Sequence, residues 1–106
     1  MNRTLQTLLQ EFKEGLEAIY GERLKGVYLY GSYARGEEDK ESDVDVLVVL
    51  DTIQHYAAEV DRTGELGSRL SLTYDLSLSQ VFMRETDWLR GETPFLANVH
   101  EEAVPV

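Results

Sequence analysis

The sequence predicts an α/β (α+β) domain, a small mixed sheet flanked by helices. An amphipathic helical stripe opens the chain, and two short strand-like apolar runs, separated by a glycine turn and a charged loop, follow it. A helical stretch, an alternating segment and a capped helix complete the predicted order α-β-α-β-α-β-α, around a sheet of three strands or a few more. At 106 residues the length predicts one domain, 1–106. A chain of this size buries roughly two-thirds of its unfolded surface, enough for one core and no separate substrate-gripping domain.

Leu5, Leu8, Leu9, Phe12, Leu16, Ile19 and Tyr20 recur at steps of three and four, so one face of the first helix is apolar; Gly21 is its expected stop. Leu24 to Tyr30 (LKGVYLY) mixes β-branched and aromatic residues and reads as a strand ending at Gly31. Ser32 to Gly36 has room for a turn or two of helix, and Glu37 to Ser42 (EEDKES) is a charged, solvated loop. Asp43 to Leu50 (DVDVLVVL) is almost continuously apolar after its first three residues, as in a strand covered on both faces. Gln54 to Leu70 reads as a helix weakened by Gly64 and Gly67. From Leu72 to Phe82 the parity alternates: Leu72, Tyr74, Leu76, Leu78 and Phe82 on one side, Thr73, Asp75, Ser77 and Ser79 on the other. That pattern predicts a strand with one polar face. Thr93 and Pro94 form an N-cap and first-turn pair for a helix to about Glu102.

Composition narrows the function. The chain has no cysteine, which excludes disulfides and thiolate metal sites and fits a reducing cytosol. Its N-terminus lacks the apolar core of a signal peptide, and no apolar run reaches the ~18 residues of a membrane span, so a soluble cytoplasmic protein is expected. Twenty Asp plus Glu against 10 Lys plus Arg give a formal charge of -10. Direct nucleic-acid binding is not expected of so acidic a chain. A basic protein partner, or an anionic ligand bridged by metal ions, suits it better.

The candidate chemistry lies between Gly31 and Asp45. Asp43 and Asp45 stand two apart on a strand, so both carboxylates project from one face, with α-carbons about 6.5–7 Å apart. Hard oxygen ligands of this kind suit Mg²⁺ or Mn²⁺. The pair opens an apolar run, where an uncompensated carboxylate is costly. Exposure at the strand end is the other reading, and the charged loop before it permits that. Gly31 followed by Ser32 turns a strand end into a helix start, and the free N–H groups and the hydroxyl suit a phosphate. Asp75, on the polar side of the later alternating segment, supplies a third carboxylate if that strand neighbours the Asp43–Asp45 strand. Two metal ions would then have ligands.

Each part alone is common; their spacing is not. Gly31-Ser32, ten residues, Asp43, one residue and Asp45, followed by an Asp on a later strand, resembles the active-site signature of the polymerase β nucleotidyltransferase superfamily. The string GSYARGEEDKESDVDVLVVL is similar to its smallest branch, the MNT or minimal nucleotidyltransferase domains. The resemblance implies a polymerase β-like nucleotidyltransferase fold, with Asp43, Asp45 and Asp75 as catalytic ligands of two Mg²⁺ ions. It implies Gly31 and Ser32 as contacts to the phosphates of ATP. Arg35 can reach a phosphate or pair with Glu37 or Glu38.

MNT proteins are commonly the antitoxins of HEPN/MNT toxin–antitoxin pairs. The resemblance therefore implies transfer of AMP from ATP to a tyrosine of a HEPN RNase toxin, with the acceptor surface supplied by that partner or by a second copy of the chain. A non-catalytic antitoxin acting by occlusion and a nucleotidyltransferase acting on a small molecule are the two alternatives. Tyr28, Tyr30 and Tyr33 could border the base, Trp88 is expected in the core or at a partner contact, and His55 and His100 read as helix-surface residues.

Overall fold

The computed structural model describes residues 2–106. Helix α1 runs Arg3–Tyr20 and buries Leu5, Leu8, Leu9, Phe12, Leu16 and Tyr20. Asn2 caps it by accepting the Leu5 N–H at 2.7 Å, and Gly21 ends it at a φ of 56°. After a 3-10 turn over Gly21–Arg23 come β1 (Leu24–Tyr30), α2 (Ser32–Arg35) and β2 (Val44–Leu50). Next come α3 (Tyr56–Tyr74), β3 (Leu78–Arg84), α4 (Glu85–Arg90), α5 (Pro94–Glu102) and β4 (Val104–Pro105).

The four strands lie in the order β3-β2-β1-β4. β1 is antiparallel to both β2 and β4, while β2 and β3 are parallel and joined through α3. A parallel pair needs such a crossover; an antiparallel pair does not. The sheet is thus mixed, as expected, with one more strand and one more helix than the predicted order.

β2 is buried on both faces. Val44, Val46, Val48 and Leu50 join the core formed with α1 and α3, whereas Leu47 and Val49 pack against Trp88, Leu96 and Val99 of α4 and α5. Strict alternation then carries Asp45 onto the α4–α5 face at the open end of the strand. The same alternation sets Ser79 of β3 beside it, since Asp45 and Ser79 are register partners.

Three expectations need correction. The strand expected over Leu72–Phe82 begins only at Leu78, and α3 runs past Leu70 to Tyr74. Leu72, assigned above to an apolar strand face, is 84% exposed. The stripe that governs this stretch has helical spacing: Glu59, Thr63, Leu66, Gly67 and Leu70 are the buried positions of α3. Asp75 is consequently not on a strand. It ends the helix in the left-handed conformation, φ 52° and ψ 44°, with its N–H donated to the Ser71 carbonyl. Asp tolerates that region better than most residues. Gly67 proves useful to the helix, because a Cβ there would come within 2.7 Å of the Gln80 side-chain nitrogen on β3. Asp43 lies just outside β2 rather than within it.

Candidate active site

The open ends of β1 and β2 meet where Tyr30 is the register partner of Asp45. Gly31 leaves β1 at φ 77° and ψ -158°, a backbone region that glycine alone occupies without strain. A side chain there would meet more than strain. An added Cβ would strike Asp45 Oδ2 and lie 3.1 Å from its Cγ. The Asp45 carboxylate is therefore folded over the glycine backbone, and the absent side chain makes the cradle.

From this glycine α2 takes a single turn, with the Ala34 and Arg35 N–H groups donated to the Gly31 carbonyl at 3.0 and 3.1 Å. The N–H groups of Ser32 and Tyr33, at the start of the turn, have no carbonyl partner within it. Four residues add little macrodipole, so an anion here would be held by N–H donors and the Ser32 hydroxyl.

Asp43 is exposed and Asp45 half-buried, and neither belongs to an ion pair among the described residues. Burial, then repulsion from Asp43, pushes the Asp45 carboxyl above the usual carboxylate range. Arg35 opposes that shift and Glu102 adds to it. Tyr30 is likewise pushed up to about 12, by burial and then by Asp45. Its ring meets Phe95 edge-on at 5.8 Å, while Tyr28 packs on Trp88 at 4.6 Å. Trp88 in turn stacks on His100. These aromatic groups cover the α4–α5 face of the sheet.

Asp75 does not join the pair. It caps α3, which packs on the α1 face, and lines a groove of about 500 Å³ with Tyr33, Lys40, Ser42 and Ser71. Among the described residues no group of three or more His, Cys, Asp or Glu side chains is placed to hold a metal ion. The sheet position beside Asp45 that a strand-borne acid would fill holds Ser79 instead.

Sequence reasoning missed Glu102. From the end of α5 it accepts a 2.7 Å bond from Arg35 Nη1, and Arg35 Nε also reaches Glu37 at 3.3 Å. Of the two pairings expected for Arg35, the one with Glu37 forms. The capped helix starting at Thr93 was readable, but nothing local tied its last residue to a turn 67 positions earlier.

The sequence model of the nucleotidyltransferase domain matches residues 9–97. The chain belongs to the nucleotidyltransferase family. The Methanocaldococcus jannaschii protein MJ0141, provisionally named a protein adenylyltransferase, is 35% identical over 99 residues, covering 93% of this chain and 95% of that protein. A solved structure provisionally assigned as a minimal nucleotidyltransferase superposes with a TM-score of 0.60 at 25% identity, over 96% of this chain and 95% of that one. Its likeness matches the mixed sheet and flanking helices described above. A toxin–antitoxin structure with AMP-PNP superposes at 0.59 and 23% identity, over 89% of this chain and 68% of that chain, a likeness of fold. The expectation of an MNT-type nucleotidyltransferase is met, and the chain is an enzyme of that class. Among the described residues no helix is long and apolar enough to cross a membrane.

Proposed function

We propose that this enzyme moves AMP from ATP onto a protein acceptor, a tyrosine of a HEPN RNase toxin, and so serves as the antitoxin of that toxin in the cytoplasm. The observation that carries the reading is the Asp45 carboxylate lying over Gly31, with Asp43 two residues before it and neither in an ion pair among the described residues. MJ0141 carries the name of a protein adenylyltransferase, and the toxin–antitoxin neighbour holds AMP-PNP. The net charge of -10 favours docking on a basic, RNA-binding partner.

The residues fit a hard divalent cation. Asp43 and Asp45 offer oxygen donors near enough to repel one another, and the raised affinity of Asp45 for a proton is relieved when a cation takes the proton's place. We assign both as ligands of Mg²⁺, with Gly31 and Ser32 holding the terminal phosphates of ATP. Magnesium bound there neutralises the phosphate charge and the leaving pyrophosphate. The acceptor's phenolic oxygen, releasing its proton to solvent, attacks the α-phosphorus as the bond to pyrophosphate breaks. Gly31 and Ser32 steady the group that leaves. Asp75 stands at the end of α3 and is not grouped with the pair, so this face offers two carboxylates, and the phosphates of ATP would supply further oxygen donors to a bound cation.

The test incubates the chain with α-labelled ATP, Mg²⁺ and a HEPN toxin encoded beside it, alongside the Asp43→Asn/Asp45→Asn variant. Label on the toxin that the variant abolishes is the expected result. Undiminished toxin inhibition by the variant, without label, would establish occlusion instead. Label on a small hydroxyl compound without the toxin would move the acceptor out of the protein class.

A further inference from the structure

Two neighbouring carboxylates should attract a nearby arginine. Arg35 is the cationic side chain of α2, the helical turn that packs on both β1 and β2. It stands at the end of α2, its backbone N–H bonded to Gly31, the residue that Asp45 covers. Yet its guanidinium is turned away, to Glu102 at 2.7 Å and Glu37 at 3.3 Å.

These two acids differ in how firmly they are held. Glu37 begins the charged loop and its side chain is 66% exposed, against 20% for Glu102. The backbone at Glu102 is fixed from both sides. The Ala103 N–H closes α5 on the Val99 carbonyl at 2.8 Å, and the next residues pair with β1, Val104 with Leu29 and Pro105 with Tyr28. Continuing that antiparallel register brings Glu102 level with Gly31.

We propose that Glu102 is a positioning residue: it anchors Arg35 and keeps its guanidinium out of the Asp43–Asp45 pair, leaving both carboxylates free for the divalent cation. The inference rests on the metal-binding reading above. Without Glu102, the loose Glu37 alone competes with two carboxylates for Arg35, and the arginine becomes an internal competitor of the cation.

A double-mutant cycle on cation affinity tests this, with free Mn²⁺ followed by electron paramagnetic resonance in the presence of AMP-PNP. Glu102→Gln should weaken Mn²⁺ binding about tenfold in the wild-type background, which is about 1.4 kcal/mol. In the Arg35→Gln background the same change should cost less than about twofold. Glu102→Asp, which keeps the charge, should recover part of the loss, and melting temperatures verify that each variant is folded. An equal loss in both backgrounds would overturn the proposal, because Glu102 would then act as a ligand or through its charge alone. Wild-type affinity in Glu102→Gln would overturn it too. Failure of the wild-type chain to bind Mn²⁺ at all would instead remove the metal-binding reading, and the inference with it.

Discussion

Replacing Gly31 by alanine separates a backbone effect from a site effect. The φ of 77° and ψ of -158° lie where a residue with a Cβ costs of order 1–3 kcal/mol. The new methyl must also displace Asp45 Oδ2, the end of a short side chain with little slack. Denaturant unfolding should thus show a loss of about 1–3 kcal/mol, or roughly 4–8 °C in Tm per kcal/mol for a domain of this size. Nucleotidyl transfer should fall by about 10²-fold or more, since a displacement of about 1 Å in a positioned group has that effect. Gly21→Ala is the control. Gly21 also has a positive φ, 56°, but a Cβ there meets nothing within 4 Å, and it lies at the far end of β1. It should lose comparable stability and keep its activity. A Gly31→Ala protein with wild-type turnover would refute the claim that the Asp45 carboxylate depends on that cradle.

Other changes give equally direct outcomes. Asp75→Gly, which relieves the left-handed φ of 52°, should hold or raise the melting temperature and leave transfer within about twofold, whereas Asp75→Ala should cost about 1 kcal/mol; a collapse of activity in Asp75→Gly would restore it to the site. Glu59 is buried and accepts bonds from Tyr20 Oη at 2.7 Å and Arg62 at 2.9 Å. With its arginine partners partly exposed, Glu59→Ala should cost about 1–3 kcal/mol in chemical denaturation without touching transfer. Asp45 has a raised folded pKa, so its ionised form opposes folding: stability is fully present below the unfolded carboxylate pKa of about 4 and declines as pH rises through the higher folded value. Asp45→Asn should therefore melt above the wild type at neutral pH in EDTA, and the difference should vanish in acid. Equal melting temperatures at pH 7 would contradict the burial and repulsion assigned to Asp45.

How much was legible follows from the range of each interaction. The first helix, the doubly buried β2 and the helix starting at Pro94 rest on local periodicity and capping, and they form as expected. Gly31, Asp43 and Asp45 come together because a short antiparallel connection makes them neighbours. Asp75 was misplaced because the end of α3, Leu72 and Tyr74, and Leu76 just past its cap together imitate the period of a strand. α4 is only six residues long and β4 only two, one of them proline, so neither shows a period to read. Glu102 meets Arg35 through the β1–β4 pairing, a contact that exists only once the sheet is assembled.

The central claim is that Asp43 and Asp45 hold a divalent cation against a nucleotide seated on the Gly31–Ser32 turn. A crystal grown with AMP-PNP and Mn²⁺ tests it by anomalous scattering. The account predicts a manganese peak in contact with both carboxylates, with the terminal phosphates on the N–H groups of the turn. Nucleotide bound elsewhere, or manganese away from both aspartates, would contradict it.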